Sequence, residues 1–167
     1  MLKKIKNVLN YLLKSILVQL QEEFTVLRVK YYRRSGYDIH SSVYIASNCN
    51  IKGKVSIGEG SSLAHNCVLS GGNEGIEIRK NVMIAPNVVI IAFSHGTENN
   101  GIPMSKQNNS ESKVVIEDDV WVAANCTIGN GVTIGTGSII AANSFVNRDV
   151  EPFSIIGGVP AKLIRKR

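Results

Sequence analysis

Residues 116–146 read IEDDVWVAANCTIGNGVTIGTGSIIAANSFV, and within them Ile116, Val122, Ile128, Ile134, Ile140 and Val146 fall at every sixth residue. A period of six matches neither the 3.6-residue turn of a helix nor the two-residue alternation of a single strand. It predicts short strands separated by regular turns and wound into a β-solenoid. The same phase runs upstream through Ile39, Ile45, Ile51, Ile57, Leu63 and Leu69, and again through Ile78, Ile84 and Ile90. Four residues after these aliphatics, where the hexad continues unbroken, stand only small or β-branched side chains, among them Val43, Cys49, Ser61, Cys67, Val88, Val120, Cys126 and Ser144. A second inward position in a narrow prism requires such side chains. At the third position come Asn48, Asn66, Asn81, Asn87, Asp119, Asn125, Gly131, Gly137, Asn143 and Asp149, types that accept left-handed backbone at a tight turn.

The 167 residues suit one domain without a dividing linker. Residues 1–36 hold eight Lys/Arg against two Glu, whereas residues 37–167 hold eleven of each sign, so the whole net charge of +6 lies in the N-terminal segment. That asymmetry, with few aromatics to stack on bases, argues against a nucleic-acid partner and for a local basic contact. Cys49, Cys67 and Cys126 all occupy the small inward position and read as buried hydrophobes. Their odd number and the lack of a secretory pattern point to a reducing, cytoplasmic setting.

Leu2, Ile5, Leu9, Leu12, Leu13, Ile16, Leu17, Leu20, Phe24 and Leu27 make an apolar stripe at helical spacing, with Lys3, Lys4, Lys6 and Lys14 interspersed. One or two amphipathic helices are therefore expected over residues 1–36. The apolar stretches fall short of the ~20 residues that cross a bilayer. Two roles stay open for residues 1–34: a cap on the solenoid or on a neighbouring subunit, or a peripheral contact with the inner face of the membrane.

The repeat breaks once at length. After Ile90 the next in-phase aliphatic is Ile116, and between them lies the polar stretch GTENNGIPMSKQNNSESK with His95 at its root. An inserted loop of this length, at 96–115, marks a site of binding or catalysis. A smaller irregularity, SGGNEG at 70–75, stretches the spacing from Leu69 to Ile78 to nine residues and could lie one coil below on the same side. A side chain that titrates near neutrality suits proton transfer, which makes His95 a candidate general base. A structural hydrogen bond is the other role open to a loop histidine. Glu98 is the nearest acidic residue in sequence that could orient the ring.

Taken together, the hexads, Ser94-His95-Gly96, the segment Ile116-Glu117-Asp118-Asp119-Val120-Trp121-Val122, and the ending Gly157-Gly158-Val159-Pro160-Ala161-Lys162-Leu163-Ile164-Arg165 resemble the left-handed β-helix (hexapeptide-repeat) acyltransferases. Within them the likeness is to the sugar and polysaccharide O-acetyltransferases, such as the galactoside and maltose enzymes, over residues 37–167. The resemblance implies an all-β solenoid, a left-handed parallel β-helix of about five coils preceded by the α-helical segment, assembled as a homotrimer with active sites between subunits. It implies acetyl-CoA as acyl donor, with no metal, and a sugar or sugar-linked acceptor. By motif position it makes His95 the catalytic base and places Trp121, Ala124, Ala142, Asn147, Arg148, Lys162 and Arg165 against coenzyme A. His65 and Asn73 fall where the family carries acceptor-binding Asn and Asp, so the acceptor here is expected to differ. Lys166 and Arg167 extend the basic end toward the coenzyme's phosphates.

The chain thus divides into a basic helical segment at 1–36, the β-helix at 37–156 and a basic tail at 157–167. The expected activity is O-acetylation of a sugar hydroxyl in surface-polysaccharide biosynthesis. N-acetylation of a nucleotide-linked amino sugar is the leading alternative. A serine acetyltransferase-like enzyme is a more distant one, resembled in Asp38-Ile39-His40 but lacking the Asp-His pair, which is Ala64-His65 here. An inactive scaffold also stays open. A zinc enzyme of the γ-carbonic anhydrase kind would need three convergent histidines, and His40, His65 and His95 include no close pair.

Overall fold

The computed structural model describes residues 2–167, with the backbone alone for 2–7 and 9–11. Of the N-terminal stripe, the side chains of Leu2, Ile5 and Leu9, with Lys3, Lys4 and Lys6, lie outside the described residues.

The hexads form a parallel solenoid with three faces. The first face stacks Asp38–Ile39, Val55–Ile57, Ile76–Ile78, Val114–Ile116 and Thr133–Ile134. Ser154–Gly158 closes the second face after Tyr44–Ile45, Ser62–Leu63, Met83–Ile84, Trp121–Val122 and Ile139–Ile140, and the third holds Asn50–Lys52, Val68–Ser70, Val89–Ile91, Thr127–Ile128 and Phe145–Val146. Five full coils and part of a sixth result, close to the about five that the resemblance implies. The register is strict: Ile57 lies over Ile39, Ile78 over Ile57, Ile116 over Ile78 and Ile134 over Ile116. Each in-phase aliphatic is buried and stacks on its equivalent one coil away, so the core is a set of aliphatic columns running the length of the prism. The three cysteines are free and buried among them, and each donates its thiol hydrogen to a carbonyl of the next coil, at Ala64, Ala85 and Ala141.

The turns follow the third hexad position. Asn48, Asn66, Asn81, Asn87, Asp119, Asn125 and Asn143 all adopt positive φ, as do Gly131 and Gly137. Asp149 does not. The chain is leaving the hexad there, with only a single bridge from Val150 to Ile134, and the Asp149 carboxylate instead accepts from the Thr133 amide. Along the corner between the second and third faces the amides form a ladder: Asn66 donates to Asn87, Asn87 to Asn125 and Asn125 to Asn143, at 3.0–3.2 Å.

Two boundaries differ from the sequence reading. The inserted loop closes on itself as an antiparallel pair, Phe93–Ser94 with Ser110–Glu111, and the first face resumes at Val114 rather than after 115. Residues 157–167 are not a free basic tail. Ala161–Lys166 folds back antiparallel on Ser154–Gly158 and closes the second face, because the last coil would otherwise leave a row of backbone donors and acceptors unpaired.

At the other end the chain is capped by helices α1 (Leu2–Gln19) and α2 (Thr25–Arg34). Arg28 is 1 % exposed and is the centre of this cap. Its guanidinium donates to the carbonyls of Leu17, Leu20, Gln21 and Glu22 at the end of α1 and to Ile45 of the first coil. A cation is thus placed where the helix leaves its last carbonyls unpaired. Beside it Tyr32 is buried and donates to the Cys49 carbonyl, and Thr25 accepts from the Ile45 amide. Residues 25–34 therefore form a cap of the solenoid.

Candidate functional site

His95 stands where the third face ends and the loop leaves the prism, at the corner facing the first face. Phe93 opposes Glu111 and Ser94 opposes Ser110 in the antiparallel root, so the register carries His95 opposite Asn109. There His95 Nδ1 lies 2.9 Å from Asn109 Oδ1. A carboxamide oxygen only accepts, so the bond is satisfied when Nδ1 carries the proton, which leaves Nε2 with a free lone pair. The imidazole is exposed, and the Phe93 ring meets it edge-on at a centroid distance of 6.5 Å. Glu98, the acidic neighbour in sequence, plays no part in holding it. The Glu98 amide instead donates to Gln107, whose carboxamide also donates to the carbonyls of Glu98 and Ile102 and gathers the loop.

The 70–75 irregularity joins the same corner. Asn73 donates its backbone amide to Glu111 Oε2 at 2.7 Å and its side-chain amide to Glu111 Oε1 at 3.0 Å. Gly72 has φ +55°, so the turn favours glycine for its backbone, and a Cβ there would sit 2.9 Å from the same carboxylate and push it aside. Asn73 and His95 are thus gathered on one corner through Glu111 and Phe93, with the Asn73 side-chain oxygen left to accept. Sequence reasoning missed Asn109 and Glu111, because the antiparallel closure that brings them back leaves no periodic trace.

The other expected residues fall into two groups. Ala124 and Ala142 stack at the corner between the second and third faces, where the Asn143 amide donates to the Ala124 carbonyl. His65 occupies the same corner two coils earlier, 3.5 Å from Glu22, and a single chain does not bring it to His95. Trp121 projects from the second face beside this corner, 44 % exposed, between Met83 and Ile139. The second group lines a cleft of about 270 Å³ between the last coil and the C-terminal hairpin, where Asn147, Arg148 and Lys162 meet Lys166. Arg165 lies on the same hairpin strand, opposite Ile155, with its guanidinium at the Lys166 carbonyl. Lys166 donates to Pro152 and Ser154, and Arg167 pairs with Asp119, so these two last cations are anchored rather than free in solvent. Among the described residues no three His, Cys, Asp or Glu side chains are grouped as a metal site requires.

The model of the bacterial transferase hexapeptide family, built on six repeats, matches residues 113–148. A hexapeptide-repeat containing acetyltransferase of Vibrio cholerae, crystallised with acetyl-CoA, superposes with a TM-score of 0.79 and 31 % identity over 94 % of this chain and 84 % of that one. The chain belongs to the hexapeptide-repeat acetyltransferase family. Another structure with this repeat architecture, AntD, an N-acyltransferase of Bacillus cereus solved with dTDP and 3-hydroxybutyryl-CoA, has a TM-score of 0.70 and 28 % identity over 78 % of this chain and 71 % of that one. Among curated relatives, WbbJ of Escherichia coli K12, named as a candidate lipopolysaccharide biosynthesis O-acetyltransferase, is 36 % identical over 56 % of this chain and 51 % of its own length. The matches span 25 % to 59 % of the length of these curated relatives, 51 % for WbbJ and 25 % for a chloramphenicol acetyltransferase.

Proposed function

We propose that the chain is an acetyl-CoA-dependent O-acetyltransferase that modifies a sugar hydroxyl in surface-polysaccharide biosynthesis, working as a homotrimer with sites between subunits. The observation that carries this reading is the held imidazole: His95 Nδ1 is engaged by Asn109 while Nε2 faces open surface. In the proposed step Nε2 takes the proton of the acceptor hydroxyl as its oxygen attacks the thioester carbonyl. The tetrahedral adduct then collapses, and the imidazolium returns the proton to the departing thiolate of coenzyme A. The cleft with Arg148, Lys162 and Lys166 supplies cations suited to the coenzyme's phosphates, and Trp121 supplies an exposed aromatic surface. On the acceptor side, Asn73 is pre-oriented by Glu111 to receive a hydroxyl hydrogen on its free oxygen. The likeness to the Vibrio acetyltransferase bound to acetyl-CoA and to WbbJ supports donor and acceptor class.

A second reading, N-acylation of an amino sugar carried on a nucleotide, is favoured by the likeness to AntD with dTDP bound. One experiment separates the two. Acetyl-CoA turnover is screened against simple sugars, nucleotide-linked amino sugars and lipid-linked oligosaccharides, and the product bond is tested for cleavage in mild base. Ester products support O-transfer, amide products on nucleotide sugars support the second reading, and absence of turnover and of acetyl-CoA binding overturns both.

A further inference from the structure

A surface helix ordinarily turns its apolar side inward. In α1 the side toward the solenoid carries Lys14, whose ammonium donates to the Ile51 carbonyl and lies over the Tyr32 ring, together with the half-buried Leu17 and Val18, the latter's carbonyl accepting from Asn48. Val8, Leu12, Leu13 and Ile16 are exposed, Leu12 at 57 % and Ile16 at 60 %. Their spacing of four, one and three residues puts them along one stripe. Phe24, Val26 and Leu27 follow in the same segment, also exposed. Exposed apolar groups in this number, on a helix that already has its solenoid contact, mark a docking surface.

Charge decides what docks there. Residues 1–36 carry eight cationic side chains against two glutamates, and the rest of the chain is balanced; Arg28 is buried in the cap and Lys14 turns to the solenoid, so among the described residues the outward cations are those of α2. On α2, Lys30, Arg33 and Arg34 are exposed and enter no ion pair among the described residues. Two copies joined through this segment would set like charge against like charge, whereas an anionic surface would answer both the apolar stripe and the cations. No helix among the described residues is long and apolar enough to cross a membrane, so the contact would lie in the interface plane. We propose that the outward stripe of α1, together with the exposed cations of α2, docks the protein onto an anionic lipid bilayer. This inference stands on the two N-terminal helices and does not depend on which acceptor is acetylated.

The test is flotation of the full-length protein with vesicles of phosphatidylcholine containing about 30 % phosphatidylglycerol, compared with pure phosphatidylcholine, at low and high salt. Binding to the anionic vesicles, weakened by salt, is expected. The double substitution Leu12→Glu and Ile16→Glu should reduce it roughly tenfold or more while circular dichroism stays unchanged. If that variant fails to fold, Leu12→Ser with Ile16→Ser removes the same apolar surface without adding charge. The proposal is overturned if the wild-type protein ignores anionic vesicles, if it binds both vesicles alike, or if the folded variant binds as the wild type does. It is equally overturned if the substitutions change the protein's assembled mass in the absence of lipid, since a second copy of the chain would then be the occupant.

Discussion

At His95 the question is how one side chain can be held firmly and still be open to react. The antiparallel root of the loop sets it opposite Asn109, and a single hydrogen bond engages Nδ1 while the other ring nitrogen stays exposed. Replacing His95 with Ala should therefore leave the solenoid intact, since this exposed side chain contributes little to the core, and should lower turnover by about 10²–10⁴. Equilibrium binding of acetyl-CoA, measured by calorimetry, should change little. Near-wild-type turnover by the folded variant would remove His95 from the mechanism and turn attention to His65. Asn109→Ala tests orientation rather than proton transfer. A loss of roughly tenfold in kcat is expected, with a displaced pH–rate profile and rescue by Asn109→Asp, which restores an acceptor to Nδ1. An unchanged profile would mean that Asn109 only stabilises the loop. The histidine was legible in the sequence because it stands where a period fails. Asn109 was not, since nothing local distinguishes it from Asn108 or from the asparagines at 99 and 100.

Among the elements, the N-terminal cap is where the sequence left the most open. An amphipathic pattern says that a helix has two sides without saying which is turned inward, and here the buried contacts come from Arg28, Val29 and Tyr32 of α2. Arg28 bonds five carbonyls drawn from α1, the turn after it and the first coil. Arg28→Met keeps the volume but leaves these acceptors without a donor, so a stability loss of about 2–4 kcal/mol is expected in urea titrations. A loss within experimental error would show that water satisfies them. Burial also pushes the Tyr32 hydroxyl above its usual range, with Cys49 adding to the shift. A folded-state value above the unfolded one means that the contribution is complete below the unfolded tyrosine pKa of about 10 and fades as pH rises toward the folded value. Stability should therefore fall progressively in alkaline solution above about pH 10, and less steeply in Tyr32→Phe. Equal slopes in the two proteins would assign the alkaline loss to other groups.

Across the whole molecule, the three outer faces differ in what they offer. The first carries an ion network in which Glu77 meets Lys113 and Arg79, and Arg79 also meets Glu117, as suits water. On the second, Met83, Trp121, Ile139 and Ile155 form an outward row that continues across four coils. An apolar row on the outside of a solenoid calls for a partner, and a threefold assembly would cover three such rows at once. Light scattering should give three times the chain mass, and Trp121→Glu should shift the protein toward monomer with loss of turnover. A wild-type monomer that remains active would exclude the shared site.

By itself the sequence determined the solenoid, its left-handed turns and the place of the loop. Each of these repeats at short range, so a single residue type at one hexad position is tested many times along the chain. The tertiary structure alone decided that Glu111 returns across 38 residues to hold Asn73, that Lys166 and Arg167 are anchored by a hairpin, and that α1 shows its apolar stripe to the outside. These contacts are made once, between segments that meet only when coils stack and ends close, and a pattern that is not repeated leaves no signal to read before the chain has folded.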